Sequence, residues 1–144
     1  LQETHIKSLY EATFYSSWMD DIAISPACQK KNGVITLVAK STGITVISNA
    51  HDQEGRWLIS KLRKQNLEFY VVNVYTPNDC SASFWEELDR KLSDPSDAQG
   101  IIVGGDFNLP LDGNLDRISA CKFRSNTTHK SLLQCLKNNN LNDV

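Results

Sequence analysis

Positive charge is not in excess in this sequence. The 15 Lys and Arg residues stand against 17 Asp and Glu, for a net charge of −2 over 144 residues. No bulk basic field is available to hold a polyanion by counterion release. A nucleic-acid partner would have to be held by local basic clusters or through a bound metal. Long apolar runs are also missing. The longest falls far short of the roughly 20 residues that a membrane-spanning helix needs, so no membrane partner is expected. Residues 1–20 have neither a basic opening nor a long apolar stretch, which argues against a secretory signal. Glycine and proline are modest, at 7 and 4, beside 40% hydrophobic and 22% charged residues. That composition excludes a collagen-like, low-complexity or disordered chain. The four cysteines, Cys28, Cys80, Cys121 and Cys135, show no CxxC or zinc spacing. A chain of this length folds without disulfide staples, so free thiols in a reducing, intracellular compartment are expected. The length suits one domain. No Met opens the chain, and its first residues are among those that carry chemistry, so it is expected to be a fragment of a longer protein.

What is present reads as alternating strands and helices. Gly33–Lys40 (GVITLVAK) and Ile44–Ser48 (ITVIS) are rich in Val, Ile and Thr and flank a short turn, predicting two strands. Gly55 opens GRWLISKLR, where Trp57, Ile59 and Lys61 alternate with Leu58, Ser60 and Leu62, as in a half-buried strand. Arg63–Asn66 are expected to turn. Leu67–Tyr75 (LEFYVVNVY) is apolar through its middle, as in a strand buried on both faces, and Thr76-Pro77-Asn78-Asp79 ends it. Leu67–Val74 and Gly33–Val38 are expected to supply one inner face. The period then changes. Phe84, Trp85, Leu88 and Leu92 recur at helical spacing between Ser81 and Ser93. Ile101–Gly105 predicts a short buried strand running into Asp106. A second helix is predicted over Thr127–Asn139, with a stripe of Leu132, Leu133 and Leu136 and a stop in Asn138–Asn140. Strands, then helix, strand and helix, predict a layered α/β architecture without internal repeat or linker.

The strongest local signal for chemistry is IIVGGDFN, Ile101–Asn108. Functional groups gather at the carboxyl ends of strands in α/β sheets. Gly104 and Gly105 let backbone come close to a ligand. Asp106 and Asn108 share a side if the strand continues for two residues, and a carboxylate beside an amide suits a hydrolytic water and a phosphate oxygen. An Asp and an Asn opening a turn explain the same pattern. Glu3 reads as a solvated surface residue or as a hard carboxylate ligand for Mg²⁺. Tyr75 reads as a half-buried tyrosine with its hydroxyl on water, or as a site residue closing its strand. His5, His51 and His129 show no ligand spacing. His5 shares a face with Glu3 if that segment is extended. Neither a GxSxG elbow nor a P-loop is present. Lys30-Lys31, Arg63-Lys64 and Lys122 with Arg124 read as solvated turns, and Trp18, Trp57 and Trp85 as core.

Five segments occur in a set order: LQET at Leu1–Thr4, GV at Gly33-Val34, GRWL at Gly55–Leu58, NVYTPN at Asn73–Asn78 and GGDFNLP at Gly104–Pro110. In that order they resemble the endonuclease/exonuclease/phosphatase family, which includes exonuclease III and the apurinic/apyrimidinic endonucleases. QETH at Gln2–His5 and LDR at Leu115–Arg117 make the resemblance closest to the endonuclease domain of LINE-type non-LTR retrotransposons. It covers essentially the whole chain. It implies an α/β four-layer sandwich, two facing β-sheets with outer helices. Residues 1–144 would be incomplete at both ends: the family's first strand would precede Leu1, and its terminal Asp-His pair would follow Val144.

Position by position, the resemblance makes Glu3 the metal ligand and Tyr75 the tyrosine that approaches the scissile phosphate. Asp106 becomes the residue that orients or deprotonates the attacking water, and Asn108 the one that holds the phosphate and that Asp. Asn78 would stand in a loop that contacts DNA. Arg56, Gly104 and Gly105 would be structural. The implied cofactor is Mg²⁺, with Mn²⁺ as a substitute. The implied partners are a DNA substrate and a reverse-transcriptase domain on the same parent chain, and the implied location is the nucleus. The expected activity is metal-dependent phosphodiester hydrolysis, nicking DNA for retrotransposition. Rivals on the same fold are a repair-type exonuclease or apurinic/apyrimidinic endonuclease, a deadenylase and an inositol-phosphate phosphatase. A non-catalytic truncated remnant is the rival of another class.

Overall fold

A computed structural model of the chain describes residues 1–13, 17, 19–29, 31–93, 99–111 and 126–143. Trp18, Lys30, Cys121, Lys122, Arg124 and the Leu115–Arg117 element lie outside the described residues. The chain divides into two compact units, Leu1–Pro77 with Asp97–Asp106, and Asn78–Ser96 with Phe107–Val144.

The first unit holds two sheets. A short helix α1 (Leu9–Ala12) precedes β1 (Met19–Ser25), which pairs antiparallel with β2 (Val34–Ala39), Ile24 opposite Ile35. A second sheet runs β3 (Ile44–His51), β4 (Trp57–Lys64), β5 (Leu67–Tyr75), β6 (Ile101–Asp106) in spatial order. Its first two pairings are antiparallel and the last is parallel. Lys64 lies opposite Leu67, so only Gln65 and Asn66 turn the β4–β5 hairpin, with Gln65 at φ 55°. Positive φ is what a two-residue hairpin turn requires. Arg63 and Lys64 therefore belong to the strand rather than to the turn. β1 and β2 face β3, β4 and β5. Ala23, Val34 and Leu58 form a core between the sheets, with Val46 and Tyr75 packed against it. Burying one such Val or Leu contributes about 1.5–3 kcal/mol. Asp21 ties the sheets at a bulge in β3, where its Oδ2 accepts the Val46 N–H at 2.8 Å.

Several burial patterns differ from those the sequence suggests. β4 is buried on both faces at its start: Trp57, Leu58, Ile59 and Ser60 are all shielded, Ser60 completely. The apolar–polar alternation misleads because a small hydroxyl fits a core position. β6 is a strand, as expected, but not a buried one: Ile102 is 60% exposed. It lies opposite Val71 at the edge of the sheet, and β2 packs on β4 and β5. An open cleft of about 580 Å³ remains, lined by Met19, Ile35, Leu37, Val71, Ile102 and Gly104 among others. Val34–Ala39 and Leu67–Tyr75 stand on opposite sheets instead of sharing one inner face. β3 runs three residues beyond Ser48, to His51.

The second unit holds α2 (Ala82–Leu92) and α3 (Thr127–Asn138), packed on each other. Phe84, Trp85, Leu88 and Leu92 are buried as their spacing predicts. Trp85 meets Phe84 edge-on at 5.0 Å and stacks on Phe107 at 5.8 Å. The buried stripe of α3 is His129, Leu132 and Cys135, whereas Leu133 is 41% exposed. Asp89 of α2 accepts from Asn138 Nδ2 and Asn139 Nδ2, both at 2.7 Å, tying the end of α3 to the middle of α2. Cys28, Cys80 and Cys135 are free thiols. Among the described residues, no helix is long and apolar enough to cross a membrane.

Candidate active site

Parallel β5 and β6 end side by side, and the ladder aligns Tyr75 with Asp106. Thr76 N–H donates to the Asp106 carbonyl at 2.8 Å, carrying the pairing one step past Tyr75. Parallel strands expose their last side chains at one rim, where ligands collect in α/β sheets. Asp106 is exposed and Tyr75 half-buried there. The chain start reaches the same rim. Leu1 exchanges backbone bonds with Ile35 at 2.8 and 2.9 Å, and Thr4 and His5 donate to the Gly33 and Asn32 carbonyls at 3.0 Å. Residues 1–5 thus run antiparallel to the start of β2, and the exposed Glu3 side chain meets Tyr75. The Tyr75 hydroxyl donates to Glu3 Oε1 at 3.1 Å. Glu3 and His5 both have positive φ, 51° and 57°, so the segment is not a regular strand. The shared face expected for an extended Glu3–His5 therefore has no backbone basis.

Arg56 supports this rim from below. Its carbonyl accepts the Tyr75 N–H at 2.7 Å, and its side chain is held by Asp52. That carboxylate is 5% exposed and accepts from Arg56 N–H at 2.6 Å, Arg56 Nε at 2.7 Å, Trp57 N–H at 3.3 Å and Ser25 Oγ at 3.4 Å. A buried carboxylate is tolerable only when paired and hydrogen-bonded in this way. Asp52 and Ser25 escaped the sequence reading. The signal was there in Asp52-x-x-x-Arg56 around a glycine, but an acid beside a turn is ordinarily solvated.

Gly105 and Gly104 differ. A Cβ on Gly105, at φ 151°, would stand 1.9 Å from the Val74 carbonyl oxygen. The close approach is to β5, not to a ligand. A Cβ on Gly104 would meet nothing within 4 Å. β6 pairing stops at Asp106, and Asn108 has φ 47°. The strand does not continue for two residues, so alternation gives no shared side to Asp106 and Asn108. Asn108 and Asn78, both exposed, belong to the second unit, Asn78 in the turn that follows β5. Thus Glu3, Arg56, Tyr75 and Asp106 are brought together in the first unit.

Among the described residues, no three His, Cys, Asp or Glu side chains form a metal cluster. Glu3 offers one exposed hard carboxylate, with Oε1 shared by Tyr75. That donor set suits Mg²⁺, which keeps its waters and binds through one or two carboxylates plus substrate phosphate. It does not suit zinc, which wants three or four protein ligands.

The fold matches solved structures. AP endonuclease LMAP from Leishmania major superposes with a TM-score of 0.73 and 20% identity, over 97% of this chain and 56% of that one. Truncated TDP2 from Caenorhabditis elegans gives 0.55 and 19%, over 83% of this chain and 52% of that one. This chain has the endonuclease/exonuclease/phosphatase fold. Its two sheets and its helices make an α/β chain of that fold. In sequence, the transposon TX1 uncharacterized 149 kDa protein of Xenopus laevis is 31% identical over 114 residues, 78% of this chain. The chain spans 9% of that protein and about half of the solved structures. No protein-family model matches.

Proposed function

We propose that this chain is the site-bearing part of a divalent-metal DNA endonuclease that nicks target DNA for retrotransposition. The observation that carries the reading is the convergence of Glu3, Tyr75 and Asp106 at one strand-end rim, with Tyr75 bonded to Glu3 and aligned with Asp106. The likeness to a transposon protein supports the retrotransposon setting, and the AP endonuclease-like fold supports a DNA substrate.

Glu3 is the residue that holds Mg²⁺, or Mn²⁺ in its place. The bound cation would supply charge neutralisation for the anionic phosphodiester and its leaving oxygen. Tyr75 holds the Glu3 carboxylate through Oε1 in the free site, and its single hydroxyl proton turns to a phosphate oxygen when substrate enters. Asp106 accepts the proton of the attacking water as the new P–O bond forms and the P–O3′ bond breaks, and the leaving O3′ takes a proton from solvent. Asn108 and Asn78 lie in the second unit; the roles proposed for them, holding a phosphate and contacting DNA, rest on the family likeness alone. The released 3′ hydroxyl is the group a reverse transcriptase extends, so a reverse-transcriptase domain on the same parent chain and a nuclear location belong to the proposal.

A second reading, cleavage at abasic sites, is favoured by the likeness to an AP endonuclease. A nicking assay on supercoiled plasmid with the full-length parent protein, in Mg²⁺ and in EDTA, tests the proposal. An abasic oligonucleotide runs in parallel. Mg²⁺-dependent nicking of intact plasmid, leaving extendable 3′ ends, is expected. Cleavage confined to the abasic oligonucleotide would favour the second reading, and metal-independent nicking would overturn both.

A further inference from the structure

Asn73 is a buried amide two residues before Tyr75 on β5, 8% exposed. Residues i and i+2 of a strand share a face, so Asn73 and Tyr75 both look toward the small sheet. Each takes hold of the chain start. Tyr75 binds the Glu3 carboxylate, and Asn73 Oδ1 accepts from Gln2 Nε2 at 2.5 Å. The other end of the Asn73 amide donates to the Ile35 carbonyl at 3.0 Å and to the Leu1 carbonyl at 3.5 Å. Carbonyls can only accept, so Nδ2 must face Ile35 and Leu1, which leaves Oδ1 for Gln2. The amide orientation follows from the network.

Consecutive residues Gln2 and Glu3 are therefore bound by consecutive same-face residues of one strand. Glu3 pays for its place with backbone strain: φ is 51° at a residue with a Cβ. Such a conformation persists only where the surroundings over-determine it. The backbone bonds at Leu1 and Thr4 clamp its two flanks, and the Gln2–Asn73 bond fixes the residue immediately before it. Without that bond the exposed Glu3 can relax, and its carboxylate leaves Tyr75.

We infer that Asn73, acting through Gln2, is a positioning residue for Glu3. Neither side chain touches metal or substrate. Together they set the angle at which the Glu3 carboxylate meets Tyr75 and any cation. The inference rests on the reading of Glu3 as the metal-holding residue.

The test compares the full-length parent protein as wild type, Gln2→Ala, Asn73→Asp and Glu3→Gln. The site is read without DNA by Fe²⁺ and ascorbate, which cut backbone beside a bound metal. Wild type is expected to be cut near residues 1–5 and near Tyr75. Gln2→Ala should need about 3- to 10-fold more Fe²⁺ for equal cutting, the factor that one neutral hydrogen bond commands. Its nicking should lose the same factor at low Mg²⁺ and recover at saturating Mg²⁺, a rescue that lost fold stability alone would not give. Asn73→Asp should shift the Fe²⁺ demand in the same direction. Because it places a charge in the core, Gln2→Ala is the deciding variant. Wild-type Fe²⁺ demand in Gln2→Ala, with Glu3→Gln impaired, overturns the positioning role and leaves the reading of Glu3 standing. A lowered melting temperature with unchanged Fe²⁺ demand makes Gln2 merely structural and also overturns it. Unchanged cutting in Glu3→Gln overturns the inference together with the reading beneath it.

Discussion

Replacing Gly105 by alanine tests the rim directly, because its effect follows from one distance. The new Cβ would lie 1.9 Å from the Val74 carbonyl oxygen, and real Cβ contacts essentially never fall under 3.0 Å. The obstacle is backbone of the neighbouring strand, which cannot rotate away as a side chain can. β5 and β6 must part by about 1 Å or more at this step, which breaks the flanking ladder bonds and the Thr76–Asp106 bond that extends them. Losing two or three backbone hydrogen bonds costs about 2–3 kcal/mol, at a net 1 kcal/mol each. The positive φ of 151° adds about 1 kcal/mol for a residue with a Cβ. The total, about 3–4 kcal/mol, corresponds to a fall in Tm of about 12–30 °C for a unit of this size. Gly104→Ala is the control. Its Cβ meets nothing within 4 Å, and alanine restricts the unfolded chain, so a change of less than about 1 kcal/mol is expected. Thermal unfolding of the two variants by circular dichroism makes the comparison. If Gly105→Ala melts within about 3 °C of wild type while Gly104→Ala does too, the parallel register Tyr75–Asp106 is wrong, and the rim loses its basis.

Asp106→Asn in the full-length protein should lower plasmid nicking by about 10²- to 10⁴-fold, the worth of a general base. Glu3→Gln should be partly rescued by raising Mg²⁺, and no Mg²⁺ concentration should rescue Asp106→Asn; wild-type nicking by Asp106→Asn would return GDFN to the status of a turn. Tyr75→Phe removes the hydroxyl on Glu3 and should cost about 0.5–3 kcal/mol in kcat/KM, a loss that a plasmid-nicking time course resolves from zero. Burial, and secondarily the Asp89 carboxylate, push the Cys135 thiol up to about 12 from 9.0. A thiol whose folded pKa is raised contributes stability below pH 9 and loses it as pH rises from 9 towards 12. Mass mapping after alkylation at pH 8 should find Cys135 unmodified in the folded protein and modified in urea.

The extent to which sequence reveals this fold follows from how far each signal reaches along the chain. β5 and α2 show in the sequence because apolar residues mark their extent: Leu67–Tyr75 was matched end to end, though it is buried only at Val72, Asn73 and Val74 and not along its length as expected, and α2 to within a residue at each end. β1 was missed because MDDIAIS carries two acids directly after Met19. The structure uses one of them, as Asp21 accepts the Val46 N–H, and a carboxylate bonded to a distant strand looks from sequence like a solvated break. The same blindness affected the α3 stripe, where His129 and Cys135 are buried in place of an exposed Leu133. His129 and Cys135 are buried on the packed face of α3, and the half-buried Asp21 meets its partner on β3.

The candidate site carries that argument further. Its contacts join residues 71 and 72 positions apart, Gln2 to Asn73 and Glu3 to Tyr75, and no periodicity reports a contact at such a separation. Only the order of the short motifs brought Glu3 and Tyr75 into one reading, and order names residues without saying what holds them. What holds them is a pair of buried polar groups: Asp52 beneath Arg56, which looks from sequence like a solvated turn acid, and Asn73 beneath Gln2, inside a strand read as apolar. Burying such groups is unfavourable unless every donor and acceptor is answered, and here the backbone of Leu1, Ile35, Arg56 and Trp57 answers them together with the Gln2, Ser25 and Arg56 side chains. The side chains with chemistry can stay exposed at the rim because the unreactive polar ones behind them are not. Specificity of placement in this unit therefore rests on residues that never meet the substrate, and variants at those positions should separate placement from chemistry.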